Sequence, residues 1–427
     1  MIEVGAAVCA LPLPVGSPMA GFAARSGPSV GVLDQLTVRA VVLAEVVIVA
    51  VDVCGLDRST CEAVQRAVRP DSPHTVLVHA THTHAAPGAM PGALGGAAPD
   101  AVATLVTAAV TAAAAATEAR EPCTVEHAAA PVTGVAHDRR HDGRRLSPPA
   151  LSLVARTADG RVHARIVTFP CHPVVLDAAN RLHSADYVGH VRRALERYDG
   201  GAPCVFLTGC AGDVNTGHAA AASFSDEPAP DRTPQRAERV GARVADALVR
   251  GRTRRVACDA VAVSRHDVDL PLTPVDPGEV AREAARWRAE IQEAQPGRRR
   301  LLEAWLVWSD AMTAEDAEEV PSSWRGSVTV VRWGDVALVA LPGEPFLVTA
   351  EAVARGVRER TRGAVRDVLV VGYTDGCPGY VPPAEAYEEG GYEVVDAHRY
   401  YGMPAPFARG AAEILQREAV MACPMRA

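Results

Sequence analysis

Lysine is absent from this chain of 427 residues, and all 43 basic side chains are arginine. Chemistry that needs an amine is therefore excluded, including Schiff-base catalysis, anchoring of pyridoxal phosphate, a P-loop lysine and a Ser–Lys pair. Aromatic residues are scarce at 4%, so the 48% of hydrophobic residues are chiefly Ala, Val and Leu. The formal net charge of −8 lacks the basic footprint of a general nucleic-acid binder.

Targeting and membrane signals are missing as well. No basic segment precedes the apolar N-terminal stretch, and prolines interrupt it, which argues against a signal peptide. No uninterrupted apolar run is long enough to cross a bilayer, and Val46 to Val53 is predicted to be a buried strand. The ten cysteines form no CxxC pair, so we expect reduced, mostly buried thiols rather than a Cys204–Cys210 disulfide. These features predict a cytoplasmic protein without a membrane span.

Strands and helices alternate without an internal repeat or a long linker. This pattern predicts one large α/β domain, residues 1–427, with mixed sheets flanked by helices. Short β-branched runs predict strands at Thr37–Leu43, Val46–Val51, Thr75–His79, Leu151–Ala155, Ala164–Phe169, Ala202–Thr208, Val328–Trp333, Val336–Leu341 and Val368–Val371. Helices are predicted at Ala101–Arg120, Tyr187–Arg197, Gln235–Arg250, Phe346–Glu359 and Pro406–Arg417. Helical periodicity over about residues 278–318, broken at Pro296-Gly297, predicts an inserted hairpin that packs on the body or forms a lid or dimer surface.

Histidines follow two of the predicted strands. Thr81-His82-Thr83-His84 comes after the strand that ends at His79. Its two imidazoles lie on one side of an extended backbone, which suits a metal ligand beside a proton donor. His172 lies between two prolines that stiffen the backbone. Ordinary loop histidines are the alternative at both places. Asp186, further on, either orients a ligating histidine or caps a helix.

Further polar side chains lie in loops after predicted strands. The turn Gly212-Asp213-Val214-Asn215 either brings backbone N–H groups to a ligand or carries a capping aspartate. Glu344 either points into a cleft or is a helix N-terminal carboxylate. Tyr380 lies in a Gly- and Pro-rich segment, and tyrosine is an uncommon metal ligand. The cations of His137-Asp138-Arg139-Arg140-His141 either bind an anionic group or form a solvated loop.

Together and in this order, these motifs resemble the catalytic domain of the neutral (non-lysosomal) ceramidases over about residues 3 to 415. The resemblance implies one zinc ion, Zn²⁺, held by two histidines, a glutamate and a tyrosine. By motif position these ligands are His82, His172, Glu344 and Tyr380. The resemblance also implies that His84, Arg139 and Tyr392 act at the scissile carbonyl. The immunoglobulin-like domain that accompanies the bacterial and animal ceramidases is not expected here.

Asn215 departs from the family pattern, because it replaces a serine implicated in attack on the amide. Asparagine has no nucleophilic oxygen, so we predict attack by zinc-bound water. His84 and Tyr392 then donate to the oxyanion or the leaving amine, Arg139 holds an anionic group, and Asn215 contacts substrate or water.

The predicted activity is hydrolysis of an amide bond in a small, polar or anionic metabolite. One alternative is a zinc-dependent ester or lactone hydrolase or acyltransferase. Others are a ceramide or N-acyl lipid amidase and a non-catalytic, ligand-binding homologue. The sequence identifies neither the small-molecule substrate nor whether the chain forms a homo-oligomer.

Overall fold

A computed structural model of the chain describes residues 1–93, 96–98, 100–218, 229–257, 260–314 and 319–426. Its strands are β1 Ile2–Ala10, β2 Gly31–Val32, β3 Thr37–Leu43, β4 Val46–Val51, β5 Val76–Ala80, β6 Glu121–Pro131, β7 His137–Asp138, β8 Pro149–Arg156, β9 Val162–Phe169, β10 Leu182–His183, β11 Cys204–Thr208, β12 Val214–Asn215, β13 Thr253–Arg255, β14 Val261–Pro271, β15 Ser323–Trp333, β16 Val336–Ala340, β17 Glu344–Pro345, β18 Asp367–Val371 and β19 Tyr380–Val381. Its α-helices are α1 Arg58–Val68, α2 Ala101–Glu118, α3 Asp186–Tyr198, α4 Pro234–Arg250, α5 Pro277–Glu290, α6 Pro296–Met312, α7 Leu347–Arg360, α8 Ala386–Glu389, α9 Tyr392–Val395 and α10 Ala411–Ala422. Short 3₁₀ helices lie at Pro73–Thr75 and Ala397–Tyr401.

Most of the strands belong to two sheets. A nine-stranded mixed sheet has the order β11-β9-β8-β6-β1-β3-β4-β5, with β13 beside β6, and a four-stranded sheet has the order β14-β15-β16-β18. The two sheets share an aliphatic core, to which Ile48, Ile166, Leu338 and Leu369 contribute. Helices α1 to α4 cover the other face of the large sheet, while α7 and α10 pack on the small one. The predicted α/β domain with mixed sheets flanked by helices is confirmed.

Helix α2 packs its alanine-rich face on the large sheet, with Leu105, Ala109 and Ala116 fully buried. It is also the one described helix that is long and apolar enough to cross a membrane by length and composition alone. That criterion is weak evidence for a span, because a helix packed in the core of a folded domain meets it too. The sequence expectation that no segment reaches bilayer length therefore does not hold for α2.

The inserted hairpin consists of α5 and α6, and α6 begins at Pro296, where the helical periodicity breaks. The rings of Trp287 and Trp305 lie 5.1 Å apart at the hairpin interface. The guanidinium of Arg399, in the 3₁₀ helix Ala397–Tyr401, stacks on both rings at about 5 Å. The predicted hairpin is confirmed, and Arg399 packs it against the segment that precedes Tyr401. The last residues predicted for the hairpin, 315–318, lie outside the described ranges.

The segment Gly372–Asp375, which we call the closure segment, joins the two edges of the large sheet. Its Gly372 N–H donates to Thr208 O of β11 at 3.2 Å, and Ala80 N–H of β5 donates to Tyr373 O at 3.0 Å. The edges also touch directly, because Thr208 N–H donates to His79 Nε2 at 2.8 Å. The carboxyl ends of β5, β9, β11 and β18 therefore meet at one place, which is where α/β proteins commonly bind ligands.

Candidate metal centre

His82, His172 and Glu344 converge in the interior where these strands end. Glu344 Oε2 lies 3.2 Å from His82 Nε2 and 3.0 Å from His172 Nε2. All three side chains are fully buried. Their ligand atoms lie close enough together to hold one metal ion. His82 also has a positive φ of 66°. This backbone conformation costs energy for residues other than glycine and is concentrated at functional sites.

The second nitrogen of each imidazole contacts a backbone carbonyl. His172 Nδ1 donates to Ala211 O at 2.6 Å, and His82 Nδ1 donates to Cys54 O. Because a carbonyl only accepts, both Nδ1 atoms carry a hydrogen, and both Nε2 atoms face the shared centre. Burial lowers the pKa of His82, but Glu344 raises it to about 10, so without a bound metal His82 Nε2 also carries a proton and pairs with the carboxylate. Burial raises the pKa of Glu344, but His82 and His172 hold that pKa well below its usual range, so the carboxylate is anionic. Two imidazole nitrogens and a carboxylate oxygen suit zinc better than magnesium or calcium.

Glu344 and Tyr380 are brought together by backbone pairing. Strands β17 and β19 form a two-stranded parallel ladder in which Glu344 stands opposite Tyr380. Gly343, with φ 69°, permits the approach, since a Cβ there would lie 2.7 Å from Gly379 O. The Tyr380 hydroxyl is 3.5 Å from His172 Nε2. The structure thus places all four sequence-predicted ligands around one point.

Two tyrosines that the sequence did not suggest contact the same carboxylate. Tyr401 donates to Glu344 Oε1, and the Tyr373 hydroxyl lies 3.4 Å from Oε2. Tyr373 also stacks on His82, with ring centroids 4.3 Å apart. Tyr373 follows the end of β18 after one residue, Gly372, and so lies at the kind of strand end that pointed to the histidines. Tyr401 has no such signal, because it comes from a 3₁₀ helix distant in sequence.

His84 lies beside the predicted ligands, with its Nε2 3.2 Å from His82 Nε2. Its Nδ1 is buried and has no hydrogen-bond partner among the described residues. Burial and the neighbouring His82 lower the pKa of His84 well below its usual range, so the imidazole is neutral. Cys54, which follows β4, adds a thiol close to both histidines.

Arg139 reaches the centre from the segment after β7. Its Nη1 lies 3.5 Å from His172 Nε2, and its guanidinium stacks 5.0 Å from the Tyr380 ring centroid. Its Nε donates to Glu393 Oε1 at 2.9 Å, so a carboxylate of the protein already neutralises it. Further along this loop, Arg140 pairs with Glu393, and His141 and Arg144 pair with Asp138.

Asn215 is the predicted site residue whose amide is engaged elsewhere. It is buried, and its side chain bonds the backbone of Gly217 and His218 in the turn 215–218. Asp213, just before β12, caps α7, since its Oδ1 accepts from Leu347 N–H at 2.7 Å. Asp186 accepts from Val175 and Leu176 N–H and so braces the chain just after His172.

A small cavity of about 50 Å³ adjoins the centre. Its wall is mixed, with polar or aromatic side chains on one half of the lining residues and small or apolar ones on the other half. The lining residues are Ala20, Gly21, Ala23, Cys54, His84, Met90, Ala93, Arg139, Val174, His218, Tyr380, Tyr392, Tyr400 and Tyr401. The cavity brings predicted His84, Arg139 and Tyr392 to the metal centre; their roles stay predictions. His218 lies there too and was not anticipated.

Solved structures with a similar fold exist, whereas no protein-family model and no protein of curated function matches the chain. A structure described as a ceramidase complexed with C2 superimposes with a TM-score of 0.76 at 16% identity, covering 99% of this chain and 74% of that one. The neutral ceramidase from Pseudomonas aeruginosa gives a TM-score of 0.74 at the same identity and coverage. At this identity the likeness concerns the fold. The chain therefore has a neutral ceramidase-like fold.

Proposed function

We propose that this protein is a zinc-dependent hydrolase that cleaves an amide bond in a small, polar metabolite. The observation that carries the proposal is the convergence of His82 Nε2, His172 Nε2 and Glu344 Oε2 on one buried point, with hydrogens fixed on the far nitrogens. An amide is favoured because ceramidases, named for hydrolysing the amide of ceramide, share this fold.

The residues that would hold the zinc ion are His82, His172, Glu344 and Tyr380. Bound there, zinc would polarise a carbonyl group and lower the pKa of water to about 7. Zinc fits because backbone carbonyls hold both Nδ1 atoms, which leaves Nε2 as the ligand atom, and a bound ion would displace the proton that pairs His82 with Glu344.

The groups around the cavity supply hydrogen bonds and protons. Burial raises the pKa of the Tyr392 hydroxyl well above its usual range, so it stays protonated and can donate to an oxyanion. The neutral imidazole of His84 can accept a proton from the attacking water and then, as an imidazolium, give a proton to the leaving amine. Arg139 adds positive charge beside Tyr380, although its pairing with Glu393 leaves it little capacity for a substrate anion.

The size of the cavity supports a small substrate. The cavity volume of about 50 Å³ is far below the roughly 300–1,000 Å³ of pockets that enclose drug-sized ligands. Tyr400 and Tyr401 form part of the wall, and the α5–α6 hairpin packs behind them. A long acyl chain would need this wall to move. The argument for an anionic substrate is weaker than the sequence indicated, because acidic partners occupy most of the loop cations.

Metal analysis and a chain-length series test the proposal together. We expect one zinc per chain, loss of hydrolysis after chelation and recovery with zinc. Among the N-acetyl, N-octanoyl and N-palmitoyl amides of one amino alcohol, the acetyl compound should react fastest. His82→Ala should lose both zinc and activity, whereas the exposed His74→Ala should keep both. Full activity of the chelated protein would exclude a zinc enzyme, and fastest turnover of the palmitoyl amide would exclude a small substrate.

A further inference from the structure

The Asn215 side chain hydrogen-bonds both backbone polar groups of one neighbouring residue. Its Nδ2 donates to His218 O at 2.7 Å, while its Oδ1 accepts from His218 N–H at 3.2 Å and from Gly217 N–H at 2.8 Å. One side chain therefore satisfies both backbone polar groups of His218. A carboxamide suits this task because it offers an acceptor and a donor side by side, whereas an aspartate only accepts.

The turn that Asn215 closes is fixed from other directions as well. Arg236 of α4 donates to Thr216 O at 2.6 Å. Gly217 has φ 101°, and a Cβ at this position would lie 3.0 Å from His137 Nδ1, so only glycine fits. Strand β12, which ends at Asn215, pairs with β7 just before Arg139. The position of His218 is thus determined by the same short elements that place Arg139.

The His218 side chain forms part of the cavity wall, with His84, Arg139, Tyr380 and Tyr392. Burial and the charges of Arg232 and Arg139 lower the pKa of His218 to about 2, so its imidazole is neutral. A neutral imidazole has one donor and one acceptor. The surrounding guanidinium groups disfavour a cationic ligand group and favour an oxygen that accepts from the imidazole N–H.

We propose that His218 is a substrate-binding residue that donates a hydrogen bond to a hydroxyl, amide or carboxylate oxygen of the substrate, and that Asn215 is the positioning residue that holds it there. This inference rests on the proposed function for the identity of the site, although its test needs no turnover. It gives Asn215 a role different from the direct contact with substrate or water that the sequence suggested.

Binding of acetohydroxamate to the zinc-loaded protein tests the inference. This small zinc-binding probe carries the carbonyl and hydroxyl oxygens that His218 would contact. Loss of one hydrogen bond predicts an affinity about three- to tenfold lower in His218→Phe, with zinc affinity unchanged. Asn215→Ser should cause a similar loss. Asn215→Asp, which keeps the acceptor but not the donor, should lose less.

A double mutant separates positioning from general damage. In the His218→Phe background, Asn215→Ser should have no further effect on acetohydroxamate affinity, because the residue that it positions is gone. Asn180→Ser is the matched control, since Asn180 bonds the N–H and C=O of Leu182 in the same way outside the cavity wall. It should bind the probe like the wild type. Unchanged affinity in His218→Phe, or fully additive losses in the double mutant, would overturn the inference.

These outcomes are distinguishable from failure of the proposed function. A zinc-loaded protein that binds acetohydroxamate through His218 but hydrolyses no amide would refute the proposed activity and leave this inference intact. If the wild-type protein hydrolyses amides but the His218→Phe variant binds acetohydroxamate as tightly as the wild type, the proposed activity stands and this inference is refuted.

Discussion

Replacing Asp52 by asparagine should destabilise the protein by about 3–5 kcal/mol, because it removes the carboxylate that pairs with the buried guanidinium of Arg192. Asp52 is fully buried, and Arg192 is 2% exposed. Both carboxylate oxygens accept from Arg192, at 2.8 Å each. Burial raises the pKa of Asp52, but Arg192 outweighs this effect and holds the pKa below its usual value. The pair joins α3 to the large sheet.

The magnitude follows from what asparagine cannot supply. Its amide keeps the shape and one acceptor of Asp52 but turns an NH₂ group toward the guanidinium, so one charge-assisted bond is lost and the charge is unbalanced. A half-exposed pair such as Glu126–Arg156 should contribute less than about 1 kcal/mol, because solvent screens it. Changing both partners, Asp52→Leu with Arg192→Met, should cost less than Asp52→Asn alone, since neither charge of the pair then remains buried.

Denaturant unfolding of the metal-free protein measures these differences. Glu126→Gln is the control for losing a carboxylate that pairs with arginine. Asp52 also accepts from Thr81 Oγ1 at 3.1 Å, next to His82, so Asp52→Asn should weaken zinc binding as well. A loss below about 1 kcal/mol, or a double variant that is less stable than the single one, would refute the reasoning.

Two further expectations concern the metal centre and acid stability. Tyr401→Phe removes the hydrogen bond to Glu344 Oε1 and should lower zinc affinity about 10–100-fold, as measured by chelator competition. The control Tyr198→Phe changes an exposed tyrosine and should leave zinc affinity unchanged. A change of less than about threefold in Tyr401→Phe would contradict the assigned contact. Burial lowers the pKa of His79 from 6.5 to about 3, so the unfolded chain binds a proton that the folded protein rejects. The contribution of neutral His79 to the free energy of unfolding should therefore be fully present above pH 6.5 and decline as the pH falls toward 3, by up to about 1.4 kcal/mol per pH unit. His79→Gln should flatten this pH dependence in unfolding measurements. An identical pH dependence in the variant would contradict the prediction.

Strand ends were the most informative sequence signal for the site. His82 and His172 each follow a buried strand, and Glu344 follows β16 after a short turn, so their meeting could be anticipated from the alternation of strands and loops. The pairing of Glu344 with Tyr380 could not be anticipated from the sequence, because it depends on a two-residue ladder that has no hydrophobic pattern. The sequence alone could not show that the Asn215 amide turns to the backbone of His218, because a turn's hydrogen bonds depend on its folded geometry.

The strands that sequence reasoning missed lack the β-branched pattern that identifies strands. β1 is rich in Ala and Gly, and β6 begins with Glu121-Pro122, which indicated the end of a helix, and includes three consecutive alanines. β14 carries charged residues at alternate positions, Arg265, Asp267 and Asp269, and pairs with β15 along its whole length. In each case pairing with neighbouring strands, rather than local propensity, determines the conformation. The last helix begins at Ala411 rather than Pro406, since the preceding residues form a loop.

The closure segment has a consequence for how the protein is made. His82 and Tyr380 lie far apart in the chain, and the closure segment just before Tyr380 contacts both edges of the large sheet. During synthesis the first histidine emerges long before the tyrosine, so the complete ligand set does not exist on a growing chain. If the centre binds zinc as proposed, zinc binding would follow the synthesis of nearly the whole chain. A chain cut before Gly372 would lose the centre and also expose β5 and β11 as open strand edges, which invite aggregation.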